Sequence, residues 1–346
     1  MNEERSSKKK LIANIIFFLI VIIVLGVIIF NINDINEIIN HTKTAKIGYL
    51  IIAVVLVLIH MTLTNLSLYA IQSKVENSLP FWPAMHIANT EHLFNAITPF
   101  SSGGQPIQAY YLIKNGLSGD ESMSVLVVNF IVYQFILTIF STIGLIIYFS
   151  RIYETISQYA FIIVVGFVIN TIILVGLILV ATVDGFKRLL RGFFRLLGKI
   201  KFLNKPMTKL EEKTFTFVER FQKGAKYLLY NKKVLFDIIL LRVIDLIVFY
   251  SIPVFIFSAL HVEVADVWFV IFMTAFSCTF MLWVPTPGAS GGVEWAFTML
   301  FVGVIANSSV VVTTMLFWRG ITYFLPLILG FFSYLIIRRR GETVCE

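Results

Sequence analysis

Charge is scarce in this chain. Asp, Glu, Lys and Arg make up 14% of its 346 residues, about half the share of an ordinary soluble domain. Cysteine is nearly absent. Cys278 sits in an apolar run and Cys345 beside the C-terminus, so no structural disulfide is expected, and Cys345 lacks the spacing of a prenylation box. The five histidines form no H-E-x-x-H and no C-x-x-C occurs, so neither a metal nor another cofactor is expected. No phosphate-binding P-loop, Ser-His-Asp order or paired-carboxylate spacing is present either. What fills the chain instead is apolar. Hydrophobic residues reach 58%, mean hydropathy is +0.86, and several runs attain the roughly 20 residues that cross a bilayer. The sequence predicts an all-α polytopic integral membrane protein, a single transmembrane domain over 1–346.

Six long spans are expected, at about 11–30, 46–70, 121–149, 158–182, 234–260 and 309–337, with two broken segments at about 86–116 and 268–306. The first follows Lys8-Lys9-Lys10 and lacks a small-residue cleavage site, so it reads as a retained helix. Basic residues gather at the N-terminus, in the 183–233 loop and at Arg338-Arg339-Arg340. The 183–233 loop alone holds 14 of the 28 Lys and Arg residues. Basic loops stay in the cytoplasm. The loops near 31–45, 150–157 and 261–267 are therefore placed outside and both termini inside. Within the basic loop, Phe186 to Leu197 alternates apolar and basic residues at helical spacing. That suits a helix on an anionic leaflet, or a solvated connector.

One phrase occurs twice. Thr98-Pro99-Phe100-Ser101-Ser102-Gly103-Gly104 and Thr286-Pro287-Gly288-Ala289-Ser290-Gly291-Gly292 share five of seven positions. From Thr98 to Thr286 the offset is 188 residues, and the spans recur at the same offset: 46–70 onto 234–258, 121–149 onto 309–337. The charge-derived topology runs the paired spans in opposite directions. The sequence thus predicts an inverted repeat, 11–149 and 158–337, each half carrying a re-entrant hairpin broken by Pro and Gly. In transporters, such interruptions at matching places mark the binding site.

The chemistry of the phrases follows from the bilayer. Non-helical backbone at depth must line a polar cavity or be buried in protein. Pro99, Pro285 and Pro287 break helix. The pairs Gly103-Gly104 and Gly291-Gly292 allow positive φ and close backbone approach, and Ser101, Ser102 and Ser290 offer hydroxyls. A helix starting just after such a turn aims N–H groups at an anion, phosphate above all. The alternative is that Pro and Gly only shape tight turns or close helix packing. Charged groups inside apolar runs are the second signal, since each is costly there. Arg242 and Asp245 stand i,i+3 and can pair. Arg319 lies between Trp318 and Gly320. Both arginines suit a phosphate. Glu91 and Glu294, flanking the two phrases, suit a cationic headgroup or a coupling proton. Against these stand a neutralising Arg242–Asp245 pair and a snorkelling Arg319. His60 and His92 read as hydrogen-bonding groups or site residues, and Gln105, Gln108 and Tyr110 as further lining.

At Thr98-Pro99…Gly103-Gly104-Gln105-Pro106 and Pro285-Thr286-Pro287-Gly288…Gly291-Gly292-Val293-Glu294, and in the order of its spans, the chain resembles the transmembrane domain of lysylphosphatidylglycerol synthases. This flippase-like family includes the membrane half of the multiple peptide resistance factor. The resemblance implies a bacterial plasma-membrane protein that handles aminoacylated phosphatidylglycerol or a related anionic or isoprenoid-phosphate lipid. It makes a phospholipid translocase working by alternating access the first expectation. In full-length relatives a soluble domain moves lysine from lysyl-tRNA to phosphatidylglycerol. This chain ends six residues after Arg340, so that activity is not expected of it alone. Phosphatidylglycerol lysyltransferase, or an accessory subunit of a separately encoded synthase, stays the alternative. The expected partners are membrane phospholipids. A separately encoded lipid synthase and a second copy of the chain are left open, and no specific nucleic acid is expected.

Overall fold

A computed structural model describes residues 35–198, 204–279 and 284–343. The expected span at 11–30, Lys8-Lys9-Lys10 and Cys345 lie outside these residues. Among the described residues all regular secondary structure is helical: α1 (Ile35–Thr44), α2 (Ile47–Gln72), α3 (Phe81–Ile97), α4 (Gly104–Lys114), α5 (Gly119–Thr182), α6 (Gly185–Gly198), α7 (Asn204–Tyr230), α8 (Lys232–Ala259), α9 (Val267–Thr279), α10 (Gly292–Val302), α11 (Ser308–Arg319) and α12 (Leu325–Thr343). Five stretches among them are long and apolar enough to cross a membrane: Ile47–Gln72, Gly119–Glu154, Ile163–Thr182, Lys232–Ala259 and Ser308–Arg339. These coincide with five of the six expected spans, as a multi-pass membrane protein requires.

Local chemistry sets the element ends. Ser118 and Glu121 form a reciprocal capping box at the start of α5, with Ser118 N–H donating to Glu121 Oε2 at 2.8 Å and Glu121 N–H to Ser118 Oγ at 3.3 Å; the pair satisfies two otherwise orphaned donors. Asn231 caps α8 and Asn307 caps α11 through their side-chain oxygens. Between α2 and α3, Gln72 clasps Leu79 at both backbone groups. Its amide donates to the Leu79 carbonyl at 3.0 Å, and its oxygen accepts the Leu79 N–H at 2.8 Å. α11 and α12 form one span interrupted by a π-turn at Gly320–Phe324. Pro326 has no N–H to return to the Thr322 carbonyl, and the helix widens at that place.

Two of the expected outside loops are helical instead. The 31–45 connection contains α1. The 183–233 insertion is built from α6 and α7, and α6 takes in the Phe186–Leu197 stretch read as a helix. The 150–157 loop does not break the chain: helical backbone runs on through α5. That segment nevertheless turns back on itself. The Gln134 amide donates to Asn170 Oδ1 at 3.5 Å, whereas a straight helix would hold residues thirty-six apart at about 54 Å. The insertion is tied to both arms of this reversal. Gln222 on α7 donates to the Val180 and Val183 carbonyls at 2.9 and 3.2 Å, and Ser124 donates to the Phe221 carbonyl at 3.0 Å.

The core is organised around α2 and α8, which hold the 46–70 and 234–258 apolar runs. They pack along their length and run antiparallel: Lys46 N–H donates to the Ala259 carbonyl at 2.9 Å at one end, while His60 meets Asp245 further along. α3 packs on α12, and α9 packs on α5. Each broken segment, α3–α4 and α9–α10, therefore leans on a spanning helix from the opposite half of the chain. The same ladder of apolar burial runs through both hairpins, from Ile87 to Leu112 and from Phe269 to Phe301.

Candidate functional site

The two copies of the phrase meet. Pro99 and Pro287, equivalent positions at the 188-residue offset, face each other in an isolated antiparallel bridge. Proline has no N–H, so the pairing runs through flanking backbone. Gly288 N–H donates to the Thr98 carbonyl at 3.4 Å.

The copies also fold alike. In the first, Ser101 N–H donates to the Thr98 carbonyl and Ser102 N–H to that of Pro99, both at 3.3 Å. In the second, Ala289 and Ser290 repeat those bonds to Thr286 and Pro287 at 3.0 and 3.2 Å. Positive φ falls at matching positions, 55° at Phe100 and 61° at Gly288, then 49° at Ser101 and 52° at Ala289. The sequence reading put positive φ on the glycine pairs. Of those four residues only Gly291 has it, at 91°. Pro sets the second position of the turn and forces the strained conformation onto the residues that follow it.

The glycine pairs serve close approach, and what approaches is protein. A side chain at Gly103 would meet Thr98 and the Phe94 carbonyl, at Gly104 Glu91 and Asn95, at Gly292 Val284. N–H groups expected to face an anion are engaged as well. Gly103 N–H donates to Thr98 Oγ1 and Gly104 N–H to Asn95 Oδ1, both at 2.8 Å, and Gly291 N–H donates to Glu294 Oε2 at 2.7 Å. These donors are satisfied from within because each helix start is sheltered by its own hairpin, where an unmatched N–H is costly.

Charge gathers beside both phrases. On the second, Arg319 is buried and pairs with Glu294 at 2.5 Å. Its guanidinium also donates to the Gly288 carbonyl at 3.2 Å and to Ser290 Oγ at 3.5 Å, and lies 4.6 Å from the Tyr323 ring centre. It does not snorkel. Tyr323 closes the arrangement: its ring abuts Gly288, and its hydroxyl donates to the Ala96 carbonyl, just before the first phrase, at 2.9 Å. On the first phrase, Glu91 accepts from Asn95 at 3.3 Å and from Gln108 at 3.1 Å. Below it, Asp245 binds His60 at 2.6 Å, Thr64 at 3.3 Å and Arg242 at 3.2 Å. Asn129 then accepts from Arg242 at 2.9 Å and from Ser67 at 2.8 Å.

Over residues 12–330 the chain matches the family described as the lysylphosphatidylglycerol synthase TM region. It belongs to that family. No curated protein matches it. The family is one of lipid-related membrane proteins, and the match takes in both phrases and both charged clusters.

Set in that family, the candidate residues divide by position. Thr98, Pro99, Ser101 and Gly103 come together with Thr286, Pro287, Ser290, Gly291, Gly292, Glu294 and Arg319 around the bridge; Gly104 abuts Glu91 and Asn95, and Gln105 follows it in the first turn of α4. Pro285 and Ser102 are exposed at the edge of the bridge. Glu91, His92, Gln108, His60, Arg242 and Asp245 form the second group. Tyr110 belongs to neither; it is 54% exposed and packs on Tyr111. Four residues that matter here went unread in the sequence: Asn95, Asn129, Thr64 and Tyr323. A polar amide within an apolar span was a usable signal for Asn129. Asn95 and Tyr323 act only once the hairpins have met. Among the described residues no group of His, Cys, Asp and Glu has the arrangement of a metal site.

Proposed function

We propose that this protein is a lipid translocase of the bacterial plasma membrane, with both termini cytoplasmic. It passes a phospholipid, aminoacyl-phosphatidylglycerol or another anionic or isoprenoid-phosphate lipid, between leaflets by alternating access. The bridge between Pro99 and Pro287 carries this reading. Two helix-breaking elements at equivalent positions of an inverted repeat meet within the membrane, where irregular backbone is tolerated only against protein or a wet cavity. Parting them alternately to either side would open a path for a headgroup.

The anion-binding group in this reading is Arg319, not the helix N-termini. Its guanidinium is already oriented by Glu294, Gly288 and Ser290. A lipid phosphate can take the place of Glu294 and bind Arg319 bidentately, leaving Glu294 on the Gly291 N–H. The exchange keeps Arg319 paired with an anion, and Glu294 takes up a proton as it is released, so no bare carboxylate is stranded.

The test is a dithionite-quenching assay on proteoliposomes holding headgroup-labelled phosphatidylglycerol. Wild type should carry lipid between leaflets. Glu294→Gln/Arg319→Gln, which preserves a polar pair without charge, should fall to the protein-free rate while retaining wild-type expression and most of the wild-type melting temperature. Undiminished transfer by the double variant would sink the mechanism. Labelled lysyl-tRNA supplied to the same preparation checks the enzymatic alternative: labelled lipid would replace the translocase reading with a transferase.

A further inference from the structure

The cluster beside the first phrase is out of charge balance. Asp245 is 1% and Arg242 6% exposed, and they neutralise each other at 3.2 Å. Glu91 lies within electrostatic range of Arg242 and His60. Among the described residues its side-chain partners are the amides of Asn95 and Gln108, and neither can offset a charge. Glu91 is half-buried; ionised, it would leave one net negative charge on the cluster, which is costly away from water.

Two imidazoles stand next to that deficit. His60 binds Asp245 through Nδ1, and its ring centre lies 6.2 Å from that of His92 in an edge-on arrangement. His92 follows Glu91 directly in the chain, and among the described residues its buried Nε2 has no hydrogen-bond partner, nor has Arg242 Nε. Unpartnered buried nitrogens of this kind are uncommon and call for an explanation. The other titratable groups facing the cluster, Tyr133 on α5, Tyr250 on α8 and Cys278 on α9, are uncharged near neutral pH. On α12, Tyr334 packs on Phe94 and Tyr111. The Arg319–Glu294 pair is balanced on its own.

We infer that Glu91, His92 and His60 hold one exchangeable proton, the single positive charge that neutralises this cluster, and that the proton couples lipid movement to the transmembrane proton gradient. Glu91 carries it as a carboxylic acid in one state. In another it passes to an imidazole, whose cation then faces the Glu91 carboxylate. Neutrality holds in both; coupling takes the proton up from one face and gives it to water at the other, and the single negative charge left by its departure draws in the next proton. The binding site stands on its own geometry; only what the proton drives rests on the translocase reading.

The experiment is infrared difference spectroscopy during a pH titration of the full chain in vesicles of phosphatidylglycerol, which carries no amine. A carboxylic acid C=O band from a buried group should be present near neutral pH and vanish in Glu91→Gln. His92→Asn should keep the band and displace its titration midpoint. Spectra of Glu91→Gln superimposable on wild type would overturn the site, as would a band unmoved by His92→Asn. In proteoliposomes, wild-type lipid transfer should then follow an imposed pH step and Glu91→Gln transfer should ignore it. Wild-type transfer indifferent to the pH step would overturn the coupling. Absence of any wild-type transfer would instead remove the translocase reading and leave the infrared result to decide the proton site.

Discussion

Pro99 and Pro287 stand opposite one another in an antiparallel bridge, 188 residues apart in sequence and equivalent in the repeated phrase. A pair linked only through flanking backbone brings its Cα atoms to about 4.5 Å, within the range a disulfide spans. Pro99→Cys/Pro287→Cys, in a background with Cys278 and Cys345 replaced by Ser, should cross-link under mild oxidation. A maleimide gel shift reads this directly. Both thiols still free after oxidation would contradict the bridge. If lipid passage requires the phrases to part, the cross-link should stop transfer and a reductant should restore it.

The repeated turn predicts opposite responses at equivalent positions. Gly288 holds φ at 61°, and its α-carbon faces the Tyr323 ring. Gly288→Ala adds backbone strain of about 1–3 kcal/mol and a steric conflict, so the apparent melting temperature in detergent should fall. Phe100 holds φ at 55° with a side chain 44% exposed. Phe100→Gly relieves the same strain at little packing cost, and melting should stay level or rise. Equal losses at both positions would mean that the turns are not equivalent.

The sequence made the spans and breaks legible because both are local. Apolar length marks a crossing helix, and Pro with Gly marks where helix cannot continue. The 150–157 segment shows the converse: it contains neither Pro nor Gly, so the chain reverses between two spans near it with no helix breaker to mark the place. The offset marks the two phrases as equivalent, and their meeting is seen in the bridge between Pro99 and Pro287. What fills the donors around them carries no such mark. Asn95 reaches Gly104 nine residues on, and Tyr323 reaches Ala96 across 227 residues. Such contacts depend on how the hairpins dock and on the π-turn that places Tyr323, and no periodicity records either.

Glu294 and Arg319 should show strong energetic coupling. Each is buried, and each is the other's charge partner. Removing one charge strands the other at a cost of about 3–5 kcal/mol. Glu294→Gln and Arg319→Gln should therefore each lower the melting temperature sharply, while the double variant recovers most of the loss. A double-mutant cycle on apparent stability measures this. Additive effects would show that the pair is not an isolated, mutually compensating unit.

The last prediction concerns the basic insertion. α7 lies against both arms of α5, and its close approach depends on Gly224, where an added Cβ would stand 2.7 Å from Ser124 Oγ. Ser124 is itself bonded to the Phe221 carbonyl one turn away, so it cannot swing aside without losing that bond. Gly224→Leu should push α7 off the α5 arms and break the Gln222 bonds to Val180 and Val183. The segment from 183 to 233 holds 14 Lys and Arg residues, so trypsin should cut it faster in the variant, as limited proteolysis in vesicles would show. Gly192→Leu is the control, because an added Cβ there meets no atom within 4 Å. Cleavage at the wild-type rate in Gly224→Leu would mean that α7 is not held by this contact, and that the insertion is a connector carrying charge alone.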